Sequence, residues 1–514
     1  MQQRSNAVAW VVLVMVLLLP LVSMELVPFY DTSEPRYAEM ARVMAQTGDW
    51  ITPWFNVDVP FWGKPPLSFW AQALSMKVLG VTEFAGRLPS WLCLITTNIL
   101  LLTALKSMRG IGVALWAAII YSTCTLVYIS SGAVLTDPFL ALGTTLSLVS
   151  FARVIDSGER PVVGSVGQQP SSSGNRRNAD VRWWQYGFFL GLTIGLLAKG
   201  PLAALIIFAP ITVWWWLTRK ATSLTALLPW RNGLLLTALL TLPWYVAAEI
   251  KTPGFLDYFI VGEHFRRFLA PGWAGDLYGS AHRRTYGMIW VYWIQASFPW
   301  GLLALAALGG AVFSPKLRSA AQAVYGDPLF FYWVTAALFT PVFFTFSANI
   351  LWTYVLPSLA GFSILAAMLA QEVRARYSIP RVKLITAAAL VPLVVLGGSL
   401  VVWINPDLRN TERELVRYVI RQPGPSSPLF YLSELPFSAR FYSSGHARAI
   451  KEAELQQIAQ QDKTFYLAAP KTEPEAVYVV SGKRLTPVFS NRRYNLLKVS
   501  KANSPLVAVR SDPN

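Results

Sequence analysis

The chain has 514 residues, of which 54% are hydrophobic and only 14% charged, and its mean hydropathy is +0.42. Soluble domains carry about 25% charged residues, so this composition excludes both a single compact water-soluble domain and a disordered chain. The net charge of +17 reads as Lys and Arg gathered in cytoplasmic loops that face anionic lipid, not as a nucleic-acid surface. No nucleic-acid partner is expected. Cys93 and Cys124 both lie in apolar runs and read as packing residues, and three histidines exclude a His-rich metal cage.

A helix needs about 20 apolar residues to cross the hydrocarbon core. The first such run, Ala7 to Val22, has no small-residue cleavage site before Glu25 and Asp31, and reads as an uncleaved first span. Further runs at 88–105, 111–130, 134–152, 184–198, 201–217, 232–249, 287–312, 328–346, 352–370 and 384–404 give about eleven spans. Basic residues fall on alternate connections: Arg4; Lys106 and Arg109; Arg153 to Arg182; Arg219 to Arg231; Lys316 and Arg318; Arg374 to Lys383. That side is the predicted cytoplasm, with a flexible linker at Gly164–Asn178, rich in Gly, Ser and Gln. The opposite side receives a first loop (25–87), a second loop (250–286) and the tail. The expected fold class is therefore mainly α: a polytopic membrane domain over 1–404 and a small extracytoplasmic α/β domain over 405–514. In that tail, strand-like runs at Leu429–Leu432, Phe465–Ala468, Val477–Val480 and Tyr494–Val499 alternate with helical patterns, notably Ala449–Gln461. It carries no Gly-rich phosphate loop, which points to an accessory role.

The first loop holds the densest chemistry. It reads Tyr30-Asp31-Thr32-Ser33-Glu34-Pro35-Arg36-Tyr37-Ala38-Glu39, then Gly48-Asp49-Trp50-Ile51-Thr52-Pro53, then Gly63-Lys64-Pro65-Pro66. Asp31 stands three residues before Glu34, the spacing of a capping box that opens an amphipathic helix to about Thr47. An interfacial helix with a good N-cap accounts for that spacing. It does not account for acids, an arginine and a lysine gathered in one loop just outside the first span, where a reaction on an anionic headgroup would need them. Further along stand Ala133-Val134-Leu135-Thr136-Asp137-Pro138-Phe139, Ala198-Lys199-Gly200-Pro201, Glu263-His264-Phe265-Arg266-Arg267-Phe268 and Thr353-Tyr354-Val355-Leu356-Pro357. Asp137 sits between apolar runs, where a charge is costly and function is the default reading; an exposed Asp breaking a helix together with Pro138 is the alternative. Lys199 also suits a plain helix end, and Arg266, Arg267, Arg283 and Arg284 also suit lipid headgroups.

In this order the motifs resemble the membrane glycosyltransferases of the GT-C class, the bacterial aminoarabinose (lipid A) transferases and the wider protein-mannosyltransferase-like family. The resemblance covers residues 25 to about 360. It implies a polyprenyl-phosphate-linked sugar as donor, a glycan, lipid or protein acceptor, membrane lipids around the chain, and inverting displacement on the periplasmic face of the bacterial inner membrane. It implies that Asp31 or Glu34 is the general base, with Asp137 as a further catalytic acid. Arg36, Lys64, Lys199 and Arg267 would bind the lipid phosphate, and Tyr354 would donate a hydrogen bond to it. The resemblance fixes no cofactor and leaves a divalent metal open, which would take His264 as a ligand, although Gly63 stands where the family has a Glu. Lysines that the aminoarabinose transferases carry before the Thr-Tyr element are replaced by Ser347-Ala348-Asn349-Ile350-Leu351-Trp352, which loosens the link to lipid A and aminoarabinose. A transporter or flippase of lipid-linked sugars explains the spans and basic loops equally well, but not the paired acids of the first loop. A sensor with a ligand-binding tail is the third reading.

Overall fold

The structure is a computed structural model that describes residues 2–159, 172–218, 224–280, 282–422, 427–461, 463–472 and 483–501. The chain forms two compact units: Met1–Glu25 with Val43–Gly398, and Leu26–Arg42 with Ser399–Asn514. In chain order the helices are α1 (Gln2–Leu26), α2 (Ser33–Thr47), α3 (Leu67–Leu79), α4 (Glu83–Arg109), α5 (Ile111–Thr123), α6 (Thr125–Ser131), α7 (Asp137–Glu159), α8 (Ser172–Lys199) and α9 (Pro201–Thr218). After the one-turn α10 (Leu224–Leu227) and α11 (Trp230–Lys251), a π-helical segment, Asp257–Arg266, runs into the short α12 (Arg267–Leu269). Then come α13 (Met288–Ser297), α14 (Trp300–Gly310), α15 (Pro315–Tyr325), α16 (Phe330–Phe344), a 3-10 segment Trp352–Ser358 leading into α17 (Leu359–Tyr377), and α18 (Arg381–Ile404).

Among the described residues seven helices are long and apolar enough to cross a membrane, and ten spans result if each of three bent pairs counts as one. The pairs are α5–α6, bent by 71°, α13–α14, by 103°, and α15–α16, by 94°. The chain is a multi-pass membrane protein. The remaining run of the eleven expected, 184–198, is the apolar end of α8. The expected linker over 164–178 is corrected in part: residues 172–178 belong to α8, and 164–171 lie outside the described residues. Large apolar side chains stay exposed on α11 (Leu235, Leu239, Leu242, Val246) and on α18 (Leu393, Val394, Trp403, Ile404). Such faces would be untenable in water and suit hydrocarbon.

The interior is held by close backbone approach and paired charge. A Cβ on Gly191 would lie 2.5 Å from the Gly143 carbonyl oxygen, and one on Gly143 2.7 Å from that of Gly191. Gly187, Gly191 and Gly195 thus form a small-residue stripe that lets α8 lie directly on α7, where Ser147 Oγ donates to the Phe188 carbonyl at 2.8 Å. At the far ends of these helices Arg109 pairs with Asp327 and Asp156, and Arg153 with Asp156 and Asp180. These ion pairs tie α4, α7, α8 and the turn between α15 and α16. Cys93 and Cys124 are buried and form no disulfide.

The second unit is α/β. Its sheet has the order β4-β3-β5-β7-β6, built from β3 (Leu429–Leu432), β4 (Arg448–Ile450), β5 (Phe465–Pro470), β6 (Lys483–Ser490) and β7 (Tyr494–Lys501). In the first unit the two-stranded β1 (Trp54–Asn56) and β2 (Val59–Pro60) form a hairpin. β3 pairs in parallel with β4 and β5, while β7 runs antiparallel to β5 and β6. Successive residues of β5 point to opposite faces. Phe465 and Leu467 join Leu432, Ile450 and Leu455 in one cluster, and Tyr466 and Ala468 join Leu415, Leu429 and Leu496 in the other. Helices α19 (Arg413–Ile420), α20 (Phe437–Tyr442) and α21 (Glu452–Ala459) flank the sheet. The sequence expected neither β4 nor β6, and its run at Val477–Val480 lies outside the described residues.

Candidate active site

Residues far apart in the chain meet in one cavity of the first unit, with a volume of about 460 Å³. Its walls are apolar, from Leu202, Leu205, Phe265, Phe268, Leu269 and Phe343, and its polar residues include Lys64, Lys199, Glu263, Arg267 and Tyr354. The three cations outnumber the one carboxylate among these lining residues.

Each cation is placed by local structure. Lys64 follows the β1–β2 hairpin, which is stitched to the second loop: Tyr278 Oη accepts from the Trp62 amide at 2.9 Å and donates to the Pro60 carbonyl at 2.8 Å. Trp62 Nε1 donates to Thr252 Oγ1 at 3.1 Å. Lys199 ends α8, and Pro201 starts α9, where its missing N–H costs nothing. Between them Gly200 takes a φ of +68°, and a Cβ there would lie 2.6 Å from the Phe259 ring. The Lys-Gly-Pro motif is therefore a tight turn that only glycine fits. Arg267 lies where the π-helical segment passes into α12, and buried Asn349 pins that segment. Its amide nitrogen donates to the Ala270 carbonyl at 2.6 Å, and its carbonyl oxygen accepts from the Gly272 amide at 2.8 Å.

Glu263 is the hub. Lys64 Nζ donates to it at 3.1 Å, Arg267 at 3.0 and 3.1 Å, and Tyr258 Oη at 3.4 Å. Burial opposes its ionisation, but Lys64 and Arg267 outweigh burial and hold the carboxyl at about 2. Arg267 also faces Asp276 at 3.5 Å. Lys199 Nζ pairs at 3.0 Å with Asp137, which is buried at the first residue of α7. Asp137 is thus buried and paired, not exposed, and Lys199, which does end α8, is buried against it. Lys199 also stands over the Tyr354 ring, 5.5 Å from its centroid. Glu263 was visible in its motif, but only the fold reveals it as the partner of two cations.

The residues do not fit a metal. His264 faces the Phe259 carbonyl through Nδ1 at 2.7 Å and the Lys199 carbonyl through Nε2 at 3.1 Å. Both ring nitrogens face backbone carbonyl oxygens, so neither is directed at a position shared with another metal-ligating side chain. Burial keeps the imidazole below its ordinary pKa, and the described residues contain no group of three or more His, Cys, Asp or Glu placed around a metal position. Through these contacts His264 bridges the Lys199 turn and the π-helical segment.

Asp31, Glu34 and Arg36 belong to the second unit. Asp31 does not cap α2 as its spacing suggested. Its Oδ1 accepts from the Ser438 amide at 2.9 Å, and its Oδ2 from Ser438 Oγ and Arg493, both at 2.6 Å. Arg493 also donates to fully buried Glu412 at 2.7 Å. The Asp31 carboxylate is thus saturated by structural bonds, with 4% of its side chain exposed. Around it, Phe29 packs edge-on against Phe441, and Thr411 Oγ1 donates to the Phe29 carbonyl at 2.7 Å. Glu34 and Arg36 are half-buried in the first turn of α2, Arg36 with its guanidinium over the Tyr37 ring.

Comparisons with known proteins agree with this architecture. Residues 5–259 match the family described as dolichyl-phosphate-mannose-protein mannosyltransferase. That stretch contains Lys64, Asp137 and Lys199, whereas Glu263, Arg267 and Tyr354 lie beyond it. The chain is 28% identical over 349 residues to the undecaprenyl phosphate-alpha-4-amino-4-deoxy-L-arabinose arabinosyl transferase of Erwinia tasmaniensis, covering 68% of this chain and 56% of that protein. The Yersinia pestis (strain Pestoides F) protein of the same name is 27% identical over 372 residues, 70% of this chain and 58% of its own. The chain therefore matches somewhat over half the length of these relatives. Among solved structures, ArnT from Cupriavidus metallidurans bound to undecaprenyl phosphate superposes with a TM-score of 0.73 at 15% identity, covering 96% of this chain and 98% of that one. Its apo form gives 0.71 at 17% identity with the same coverage. The resemblance drawn from the motifs holds: the chain is similar to the aminoarabinose and protein-mannosyl transferases and has the GT-C fold of ArnT.

Proposed function

We infer that this protein is an integral-membrane glycosyltransferase that moves a sugar from a polyprenyl-phosphate donor to a glycan, lipid or protein acceptor. Its cavity would open at the periplasmic face of a bacterial inner membrane, an orientation supported by the Lys and Arg asymmetry of the loops. One observation carries the reading: a cavity of about 460 Å³ with apolar walls and Lys64, Lys199 and Arg267 among its lining. That is the chemistry of an amphiphile with an anionic head. The relatives are named as arabinosyl transferases acting with undecaprenyl phosphate, which favours transfer over flipping.

In this reading Lys64, Lys199 and Arg267 hold the donor phosphate and Tyr354 donates to it, as preorganised charge that stabilises the leaving group. The acceptor oxygen attacks the anomeric carbon from the face opposite the phosphate. The bond from that carbon to the phosphate oxygen breaks, polyprenyl phosphate leaves with the electron pair, and the acceptor proton passes to a carboxylate. Asp31 is committed to Ser438 and Arg493, so Glu34 and Asp137 are the carboxylates proposed for that proton. Once the phosphate draws on Lys199, Asp137 loses part of its counter-charge and becomes a better base. Arg36 remains a proposed phosphate ligand.

The test is binding of undecaprenyl phosphate to the purified chain. Lys64→Ala, Lys199→Ala and Arg267→Ala should each weaken binding about tenfold or more, the worth of one charge-assisted hydrogen bond. Unchanged binding in all three would overturn the assignment. Cells lacking the protein should lose a sugar-sized mass from a glycan, lipid or protein fraction.

A further inference from the structure

A second cavity of about 490 Å³ lies among α1, α5, α17 and α18, and its polar lining includes Arg374, Arg381, Gln371 and Ser378. We propose that this crevice binds a phosphate anion, and that the headgroup of an anionic membrane phospholipid is the ligand that fits it.

The charge lining this crevice is unbalanced. Arg374, in the last turn of α17, and Arg381, the first residue of α18, are brought together by a three-residue turn through Ser378, Ile379 and Pro380. Both arginines line the same crevice. Neither has a carboxylate partner among the described residues, and Arg381 Nε is buried without a hydrogen-bond acceptor. What sets the two apart is the missing carboxylate: Arg109 pairs with Asp327, Arg153 with Asp180 and Arg376 with Glu372. Two half-buried cations left facing one crevice are a repulsive arrangement that an anion relieves, and a guanidinium fork suits phosphate oxygens.

Trp352–Tyr377 forms a single candidate span of 26 residues. Tyr354, in the first cavity, and Arg374, in this one, are twenty positions apart along it, about 30 Å at helical rise. The crevice therefore lies at the opposite membrane surface from the first cavity. The remaining walls include Ala9, Leu115, Trp116 and Leu384, and α18 continues from Arg381 with exposed Val382, Leu390 and Leu393. An acyl chain has an apolar helix face to follow, which a free phosphate does not use.

A glycine supplies a clean perturbation. Gly112 lines the crevice, and a Cβ built on it meets nothing within 4 Å. Gly112→Leu therefore fills the space without altering a charge, in a helix that favours Leu over Gly.

The experiment uses the full chain, purified in neutral detergent, with thermal unfolding and native mass spectrometry as readouts. Three additions are compared: phosphatidylglycerol, phosphatidylcholine and inorganic phosphate. Phosphatidylglycerol should raise the Tm of the wild type and remain bound in the mass spectrum, and phosphatidylcholine should do neither. The double variant Arg374→Ala/Arg381→Ala and the variant Gly112→Leu should each bind phosphatidylglycerol at least about tenfold more weakly. Should the double alanine variant fail to fold, Gly112→Leu and Arg374→Lys/Arg381→Lys, which keeps the charge, still decide the matter. Equal stabilisation by inorganic phosphate would support the anion site and assign it to a soluble phosphate. Equal binding of both lipids, or undiminished phosphatidylglycerol binding in Gly112→Leu and the double alanine variant, would overturn the proposal.

Discussion

The substitution Glu263→Gln interrogates the cationic cavity directly. Glu263 lies in the π-helical segment, outside the candidate spans, and holds Lys64 and Arg267 through bonds of 3.0 to 3.1 Å. Its carboxyl titrates at about 2 in the folded protein, against an ordinary value of 4.5. A depressed carboxyl stabilises the fold above its unfolded pKa, and that stabilisation is lost as pH falls through the folded value. At 1.36 kcal/mol for each tenfold, ionised Glu263 contributes about 3 kcal/mol at pH 7 and about 1 kcal/mol at pH 3. The amide has the same shape but no charge, so Lys64 loses its carboxylate and Arg267 keeps only the longer contact to Asp276 at 3.5 Å, in line with the ~3–5 kcal/mol typical of a broken buried pair. Thermal unfolding of wild type and variant, in one detergent from pH 7 down to pH 3, should show a gap that is wide at pH 7 and shrinks below about pH 4.5. Undecaprenyl phosphate should narrow the gap at pH 7, because its phosphate supplies the missing negative charge. A variant as stable as wild type at pH 7, or a gap that ignores pH, would refute the claim that Glu263 organises the two cations.

Three further outcomes follow from individual contacts. Gly200→Ala meets the Phe259 ring at 2.6 Å and carries an alanine at a φ of +68°; overpacking and left-handed strain together should cost about 3 kcal/mol, read as a lowered Tm. Asp31→Asn should lower the Tm, because Arg493 loses a partner at 2.6 Å, yet leave most sugar transfer intact, whereas Asp137→Asn should abolish transfer in a protein that still folds. An inactive Asp31→Asn with an unchanged Tm would reverse these roles. Gly191→Leu puts a side chain where the Gly143 carbonyl oxygen lies 2.5 Å away, so α7 and α8 must separate, and the variant should fail to accumulate in membranes, as a blot of the membrane fraction would show.

How much of this was legible in the sequence depends on the range over which each feature is encoded. Spans are written locally as long apolar runs, and nearly every expected run lies on a helix. The bends are not written that way: apolar residues continue through Cys124 and Phe298, so 111–130 and 287–312 read as straight spans although the chain turns by 71° and 103° there. In the tail, β3 and β5 were legible because both faces are packed and the runs are apolar. Strand β4 has three residues, and β6 carries Pro487 and a largely exposed pattern at the sheet edge, so neither raises a signal.

The site divides along the same line. Lys64, Lys199, Arg267 and Tyr354 were each singled out by local motifs, and the fold gathers all four around one cavity. What the motifs could not express is which carboxylate faces which cation. Asp31 reads locally as a cap for α2, but its charge is met by Arg493, 462 positions later. Glu263 is met by Lys64, 199 positions earlier. A buried carboxylate is stable only beside a cation or hydrogen-bond donors, so each buried acid needs a partner, and pairing shapes its chemistry. The acid locked between Ser438 and Arg493 becomes a brace. The acid paired with Lys199 is the one that, in the proposed reaction, a phosphate drawing on Lys199 would release. Sequence spacing does not say which cation each of Asp31 and Asp137 will meet; the fold gives Asp31 to Arg493 and Asp137 to Lys199, and the proposed difference in their chemistry rests on those partners.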